Sequence, residues 1–172
     1  MNKRDELRKM LTESDAIRFG EFVIKSGKKS NYYVDMKWAS CNPQILDMMS
    51  DLLKKEVMSY DRIGGILVDG LPLATILSSK TGIPMLIIRP ERQQETEKEI
   101  EGDFKQREKV VLVDGVITTS ETKLRAINIL KKFGLSCDKV VVAIDREMGS
   151  DEIERRGVKL VSLFKISDII KQ

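Results

Sequence analysis

The chain has 172 residues, 41% of them hydrophobic and 33% charged, enough for one domain with a buried core and too apolar for a disordered chain. Thirty Lys and Arg against 27 Asp and Glu leave a charge of only +3, which gives no ground for a nucleic-acid partner. The absence of histidine and the presence of only two cysteines exclude a Ser-His-Asp or Cys-His nucleophile and a disulfide framework, and argue against a zinc site. Residues 3–11 space Leu7, Met10 and Leu11 as one face of an amphipathic helix. The stretch RFGEFVIKSGKKSNYYVDMK alternates around Phe22, Ile24 and Tyr33, with Ser26-Gly27 as a turn between two strands. NPQILDMMSDLLKKEVMSY reads as a helix capped by Asn42, with Pro43 in its first turn.

A strand–helix rhythm follows. RIGGILVDG is a short buried strand, PLATILSSKTG a helix closed by Gly82, and IPMLIIR a strand. KVVLVD is a strand ending at Asp114, and SETKLRAINILKKFG a helix closed by Gly134. DKVVVAIDR is a strand, SDEIERRG a helix capped by Ser150, VKLVSLFK a strand, and SDIIKQ the start of a last helix. The charged gap at 89–108 has no apolar period and is read as a solvated loop or a functional flap. This order predicts an α/β fold: a central, mostly parallel sheet flanked by helices. No apolar run reaches the roughly 20 residues of a membrane span, and the charged N-terminus has no apolar signal core, so a cytoplasmic location without membrane contact is expected.

In such a sheet, ligands gather at the carboxyl ends of strands. The turns to inspect are Asp69-Gly70, Arg89-Pro90, 114–122 and 145–149. The stretch VVLVDGVITTSETKL has the form of a phosphate-binding turn: an apolar strand, an acid, a hydroxyl-rich corner and a helix start whose N–H groups favour anions. A plainer reading stands beside it, in which Asp114 ends a strand and Thr119 or Ser120 caps the helix.

VVLVDGVITTSET resembles the signature of type I phosphoribosyltransferases. FGEFVIKSGKKSNYYVD, ILVDGLPLATILSSKTGIPMLIIRPE, IEGDF and AIDREMG are similar, in order and spacing, to segments of the orotate phosphoribosyltransferases. The resemblance spans nearly the whole chain and implies a single domain over 1–172, with a small N-terminal hood from about 1–40 and a core from about 41–172. It implies transfer of phosphoribosyl from phosphoribosyl pyrophosphate to orotate in pyrimidine nucleotide synthesis. It further implies Mg2+ that arrives with the pyrophosphate rather than by direct protein ligation, and a homodimer. Lys25, Tyr32, Tyr33 and Arg146 match the orotate-binding positions. Asp114, Thr118, Thr119, Ser120 and Thr122 match the phosphoribosyl-binding positions, and Asp114 and Arg89 the catalytic ones.

The phosphate half departs from the family pattern. Gly115 replaces the second acid of the motif, Ser120-Glu121 replaces a glycine pair, and Asp69 stands where pyrophosphate docks. In the flap, Pro90, Gln93 and Glu95 occupy positions of lysine or histidine, with Arg92 and Lys98 as nearby substitutes. Like charges a few ångströms apart cost on the order of 1–4 kcal/mol each in a half-buried site, so these changes predict weakened binding of phosphoribosyl pyrophosphate. They leave an alternative open: a catalytically impaired homologue acting as a pyrimidine or nucleotide sensor, or as the heterodimer partner of an active paralogue. Restoring the pattern with Gly115→Asp and Glu121→Gly is expected to raise that binding.

Overall fold

The computed structural model describes residues 2–23, 27, 29–91 and 98–170. Helix α1 (Lys3–Thr12) leads into a hairpin of β1 (Ile17–Val23) and β2 (Lys29–Val34). Next come α2 (Met36–Ser40), α3 (Pro43–Val57), β3 (Arg62–Ile66), α4 (Leu71–Thr81), β4 (Met85–Ile88) and β5 (Ile100–Glu101). The chain continues through β6 (Lys109–Ile117), α5 (Glu121–Lys132), β7 (Ser136–Asp145), α6 (Ser150–Arg155), β8 (Lys159–Lys165) and α7 (Ile166–Ile170). Local signals set most of these boundaries. The Asn42 carboxamide oxygen accepts from the N–H groups of Gln44 and Ile45 at 3.0 and 3.2 Å and starts α3. Gly82, at φ +73°, closes α4 in a left-handed conformation that side chains resist.

The main sheet has six strands in the order β5-β4-β3-β6-β7-β8, parallel except for the β4–β5 pair. Its strands are apolar on both sides because both sides are covered. Val111, Val113, Val141 and Ala143 join the core beneath α1, α3 and α4, while Val110, Leu112, Val140 and Val142 join the core beneath α5 and α6. Burying one such side chain is worth about 1.5–3 kcal/mol, so a register slip that exchanged the faces would be penalised many times over.

Several expectations are corrected. The gap at 89–108 contains β5, which pairs Ile100 with Ile88 because that isoleucine buries itself at the sheet edge. Helix α2 lies between the hairpin and α3, its start held by the Asp35 carboxylate accepting from Trp38 N–H at 3.1 Å. Strand β6 does not end at Asp114: it runs on to Ile117 because β7 continues beside it, pairing Ile117 with Asp145. Ser150 is the first residue of α6 rather than its cap, which is Gly149, and the Ser150 hydroxyl hydrogen-bonds Asp145 instead.

Candidate functional site

From β3 the chain moves outward to β4, then returns to the other side of β3 to form β6. The carboxyl ends of β3 and β6 therefore form the point where the winding reverses, the usual ligand position of an open α/β sheet. Two turns meet there. A Cβ on Gly70 would lie 2.2 Å from Val113 O and 2.9 Å from Asp114 Cα, so only glycine permits this approach. The peptide joining Leu67 to Val68 in the first turn is cis.

The second turn leads from β6 into α5. The first helical hydrogen bond of α5 runs from Leu124 N–H to Ser120 O at 2.9 Å, which leaves the earlier N–H groups of the turn without partners inside the helix. Ser120 stands at the cap position but makes no side-chain cap; its hydroxyl donates to the Glu152 carboxylate on α6. Gly149 presses on the same turn: a Cβ there would lie 2.7 Å from Ser120 N. The plainer reading of Thr119 or Ser120 as helix caps thus gives way to an uncapped helix start braced from behind by α6, with Thr118 and Thr122 half-buried and Thr119 exposed. Free N–H groups at a helix start form an anion site.

The acids that break the family pattern are not bare. Asp69 faces the Lys37 ammonium of α2 at 3.3 Å. Burial disfavours the charge of Lys37, but the Asp69 carboxylate outweighs it and the lysine pKa lies above its ordinary value. Glu121 pairs with Arg125 one helical turn on, at 2.5 Å, and Glu91 approaches the same arginine at 3.6 Å. Asp114 accepts from Lys123 at 2.5 Å and from Gly115 N–H at 2.7 Å. Burial pushes the Asp114 carboxyl up, with Lys123 opposing. Each pairing reduces the repulsion met by an incoming phosphate, most for the buried Asp114 and least for Glu121, whose side chain is 68% exposed.

The second cluster lies below the hairpin. A cleft of about 450 Å³ is lined by Glu21, Lys29, Ser30, Asn31, Tyr32, Arg146 and Met148. Arg146, at the end of β7, is only 6% exposed. Its guanidinium lies 4.6 Å from the Tyr32 ring centroid and donates to Ser30 Oγ at 3.1 Å. Its Nε is buried and unpartnered, as is that of Arg89 after β4; these two are the only buried side-chain atoms of that kind among the described residues. A buried guanidinium nitrogen left unpaired is costly, and a ligand carboxylate or phosphate removes the cost. Tyr32 and Tyr33 face different neighbours. Adjacent strand residues point to opposite sides, and Tyr33 packs on Phe22 at 5.6 Å and under Arg18 at 5.1 Å.

Lys25, Arg92, Gln93 and Glu95 lie outside the described residues, and Lys98 is exposed. Among the described residues, no group of three or more His, Cys, Asp or Glu is placed to hold a metal ion. No described helix is long and apolar enough to cross a membrane. The sequence reading passed over Lys37, Lys123 and Arg125. One signal for Lys123 was available: it shares the buried stripe of α5 with Ala126 and Leu130, where a lysine needs a partner.

A six-stranded α/β sheet with an anion-type turn at its switch point and an arginine-lined cleft beside it defines the phosphoribosyltransferase class, and the phosphoribosyl transferase domain model matches residues 41–170. The orotate phosphoribosyltransferase of Pyrococcus abyssi is 38% identical, covering 98% of this chain and 96% of its own. That of Methanocaldococcus jannaschii is 36% identical, covering 98% of each. The crystal structure of orotate phosphoribosyltransferase from Aeropyrum pernix superposes with a TM-score of 0.88 at 30% identity, covering 96% of both chains. The chain belongs to the orotate phosphoribosyltransferase family. Nothing in the geometry or in these relatives favours the alternative of an impaired sensor.

Proposed function

We propose that the protein transfers phosphoribosyl from phosphoribosyl pyrophosphate to orotate, releasing pyrophosphate and forming orotidine monophosphate, in cytoplasmic pyrimidine nucleotide synthesis. The observation that carries this reading is the Arg146 guanidinium, stacked on Tyr32 with an unpaired buried Nε, on the loop whose Gly149 backs the anion-type turn. Arg146 is the natural partner of the orotate carboxylate, since a guanidinium fork matches a carboxylate. Tyr32 offers its ring to the base, Lys25 is an orotate ligand by the family match alone, and the β1–β2 hairpin is the hood. Tyr33 supports the hood from its other face.

The N–H groups of Thr118, Thr119, Ser120 and Thr122 and the hydroxyls of the three threonines receive the 5′-phosphate, the Ser120 hydroxyl being engaged by Glu152, and Asp114 receives the ribose hydroxyls. Arg89 faces the leaving pyrophosphate. These residues bind, orient and place charge around an electron-poor sugar carbon, where fixed dipoles do most of the catalytic work. Mg2+ arrives on the pyrophosphate and supplies positive charge there; Asp69 and Glu121 are engaged by Lys37 and Arg125 and are poor candidates for its ligands. The working form is a homodimer, and sedimentation of the purified chain alone separates this from a monomer that awaits a paralogue.

The test is formation of orotidine monophosphate from orotate, phosphoribosyl pyrophosphate and Mg2+, with Arg146→Ala as the control. Turnover by the native chain and loss in the variant are expected. No turnover at high protein concentration would sink the reading.

A further inference from the structure

Lys123 sits where a lysine is unwelcome. It is in the first turn of α5 and 5% exposed. The helix dipole is positive there and disfavours a cation, and lysines normally carry their heads out to water. Its Nζ is nevertheless held inside, 2.5 Å from Asp114 Oδ2 and 2.6 Å from Val116 O. Asp114 is equally enclosed, with 7% of its side chain accessible against 6% for Lys123. Its other oxygen, Oδ1, is occupied by Gly115 N–H at 2.7 Å.

The next residue supplies no acid of its own. Gly115 lies under α2, and a Cβ there would meet Met36 Cβ at 2.7 Å. Asp114 is thus the one acid at the position of the motif's acidic pair. Resting on the reading given under Proposed function, we propose that Lys123 is a positioning residue for phosphoribosyl pyrophosphate: its buried ammonium presents Asp114 as an oriented carboxylate to the ribose hydroxyls.

Burial alone favours the neutral carboxyl, and Lys123 is the main opposing charge. The other charged group that acts on Asp114 is Asp69, on the turn after β3, which also favours protonation and is itself met by Lys37. Removing Lys123 therefore leaves a carboxyl that protonates more readily and has lost the donor that orients it. A protonated Asp114 no longer offers two acceptors to a diol.

The experiment is calorimetric titration of phosphoribosyl pyrophosphate with Mg2+ into the native chain, Lys123→Met and Lys123→Arg, from about pH 6 to 9. Lys123→Met is expected to bind about tenfold or more weakly near neutrality, with the gap narrowing as pH rises and Asp114 ionises unaided. Lys123→Arg, which keeps the charge, is expected to stay within about threefold. Native affinity in Lys123→Met, or a loss that ignores pH, overturns the proposal and leaves the pair a structural one.

A second measurement needs no substrate. The carboxyl carbon resonance of Asp114 should titrate at lower pH in the native chain than in Lys123→Met, because burial raises the Asp114 pKa and Lys123 opposes it; equal midpoints overturn the proposal equally. Orotidine monophosphate formation by the native chain tests the broader reading separately, so failure of one is distinguishable from failure of the other.

Discussion

The ammonium of Lys123 and the carboxylate of Asp114 meet at 2.5 Å, each side chain more than nine-tenths buried. Pairs of this kind are rarely neutral in their effect: the desolvation of both charges is large, and removing one partner strands the other. Here the stranded partner would be the acid of the phosphoribosyl motif. More exposed pairs surround it, Asp69 with Lys37 and Glu121 with Arg125. Acids and compensating cations come as sets: Lys37 reaches Asp69 from α2, while Lys123 and Arg125 follow the motif residues on α5 itself.

Restoring the family acid with Gly115→Asp is expected to destabilise the chain and to leave binding of phosphoribosyl pyrophosphate no better. The new Cβ would stand 2.7 Å from Met36 Cβ, and overpacking of this kind costs roughly 1–3 kcal/mol. Thermal unfolding checks it, and Met36→Ala in the same chain should recover part of the loss. A variant as stable as the native chain that also binds more tightly would refute the steric account.

Tyr32 and Tyr33 should separate cleanly in kinetics. Tyr32→Ala removes the ring under Arg146, a cation–π contact worth about 0.5–2 kcal/mol, and should raise the KM for orotate by roughly 3- to 30-fold. Tyr33→Ala loses its packing on Phe22 and Arg18 and should act on hairpin stability, with the orotate KM within about twofold, since the two rings point to opposite sides of the strand. Equal effects on orotate would contradict this assignment of faces.

Acid should weaken the junction of α1, α3 and α4. Hydrogen bonds from Lys3 and then Lys80 hold the Asp51 carboxyl down from its ordinary 3.8 to about 2. A carboxyl lowered on folding contributes stability above its unfolded value and loses it as pH falls toward the folded one. The contribution is lost between about pH 4 and 2. Asp51 is 36% exposed, so its size is that of a screened surface pair, roughly 0.2–1 kcal/mol. Denaturant midpoints above and below this window should differ less in Asp51→Asn than in the native chain.

The two thiols should react unequally. Burial pushes the Cys137 thiol up to about 11, whereas Cys41 is exposed. Alkylation of the native chain at about pH 8 should modify Cys41 and spare Cys137 until the protein is unfolded, because the thiolate is the reactive form. Mass spectrometry of the labelled peptides decides it, and early modification of Cys137 would show that β7 opens more readily than its burial implies.

Much of the fold was legible because it rests on short-range rules. Asn42 announced α3, Gly82 ended α4, and the apolar runs around Val111 and Val141 marked strands covered on both sides. The misses were of another kind. Strand β5 is two residues long and exists because β4 offers it an edge. The extension of β6 past Asp114 depends on β7 lying alongside.

Local rules in the sequence were enough to locate the candidate turns. Strand periodicity and helix starts are local, and in a parallel sheet they leave the hydroxyls of 118–122 and Arg146 just beyond carboxyl strand ends, with Asp114 inside β6 near its end. Tertiary packing was needed to show which cations meet the acids there. Lys37 and Asp69 are far apart in the chain and 3.3 Å apart in space, and Gly115 is small because Met36 lies against it. The motif residues show where negative charge stands; whether that charge is felt depends on the distance to its partner, which the folded packing of α2 and α5 supplies.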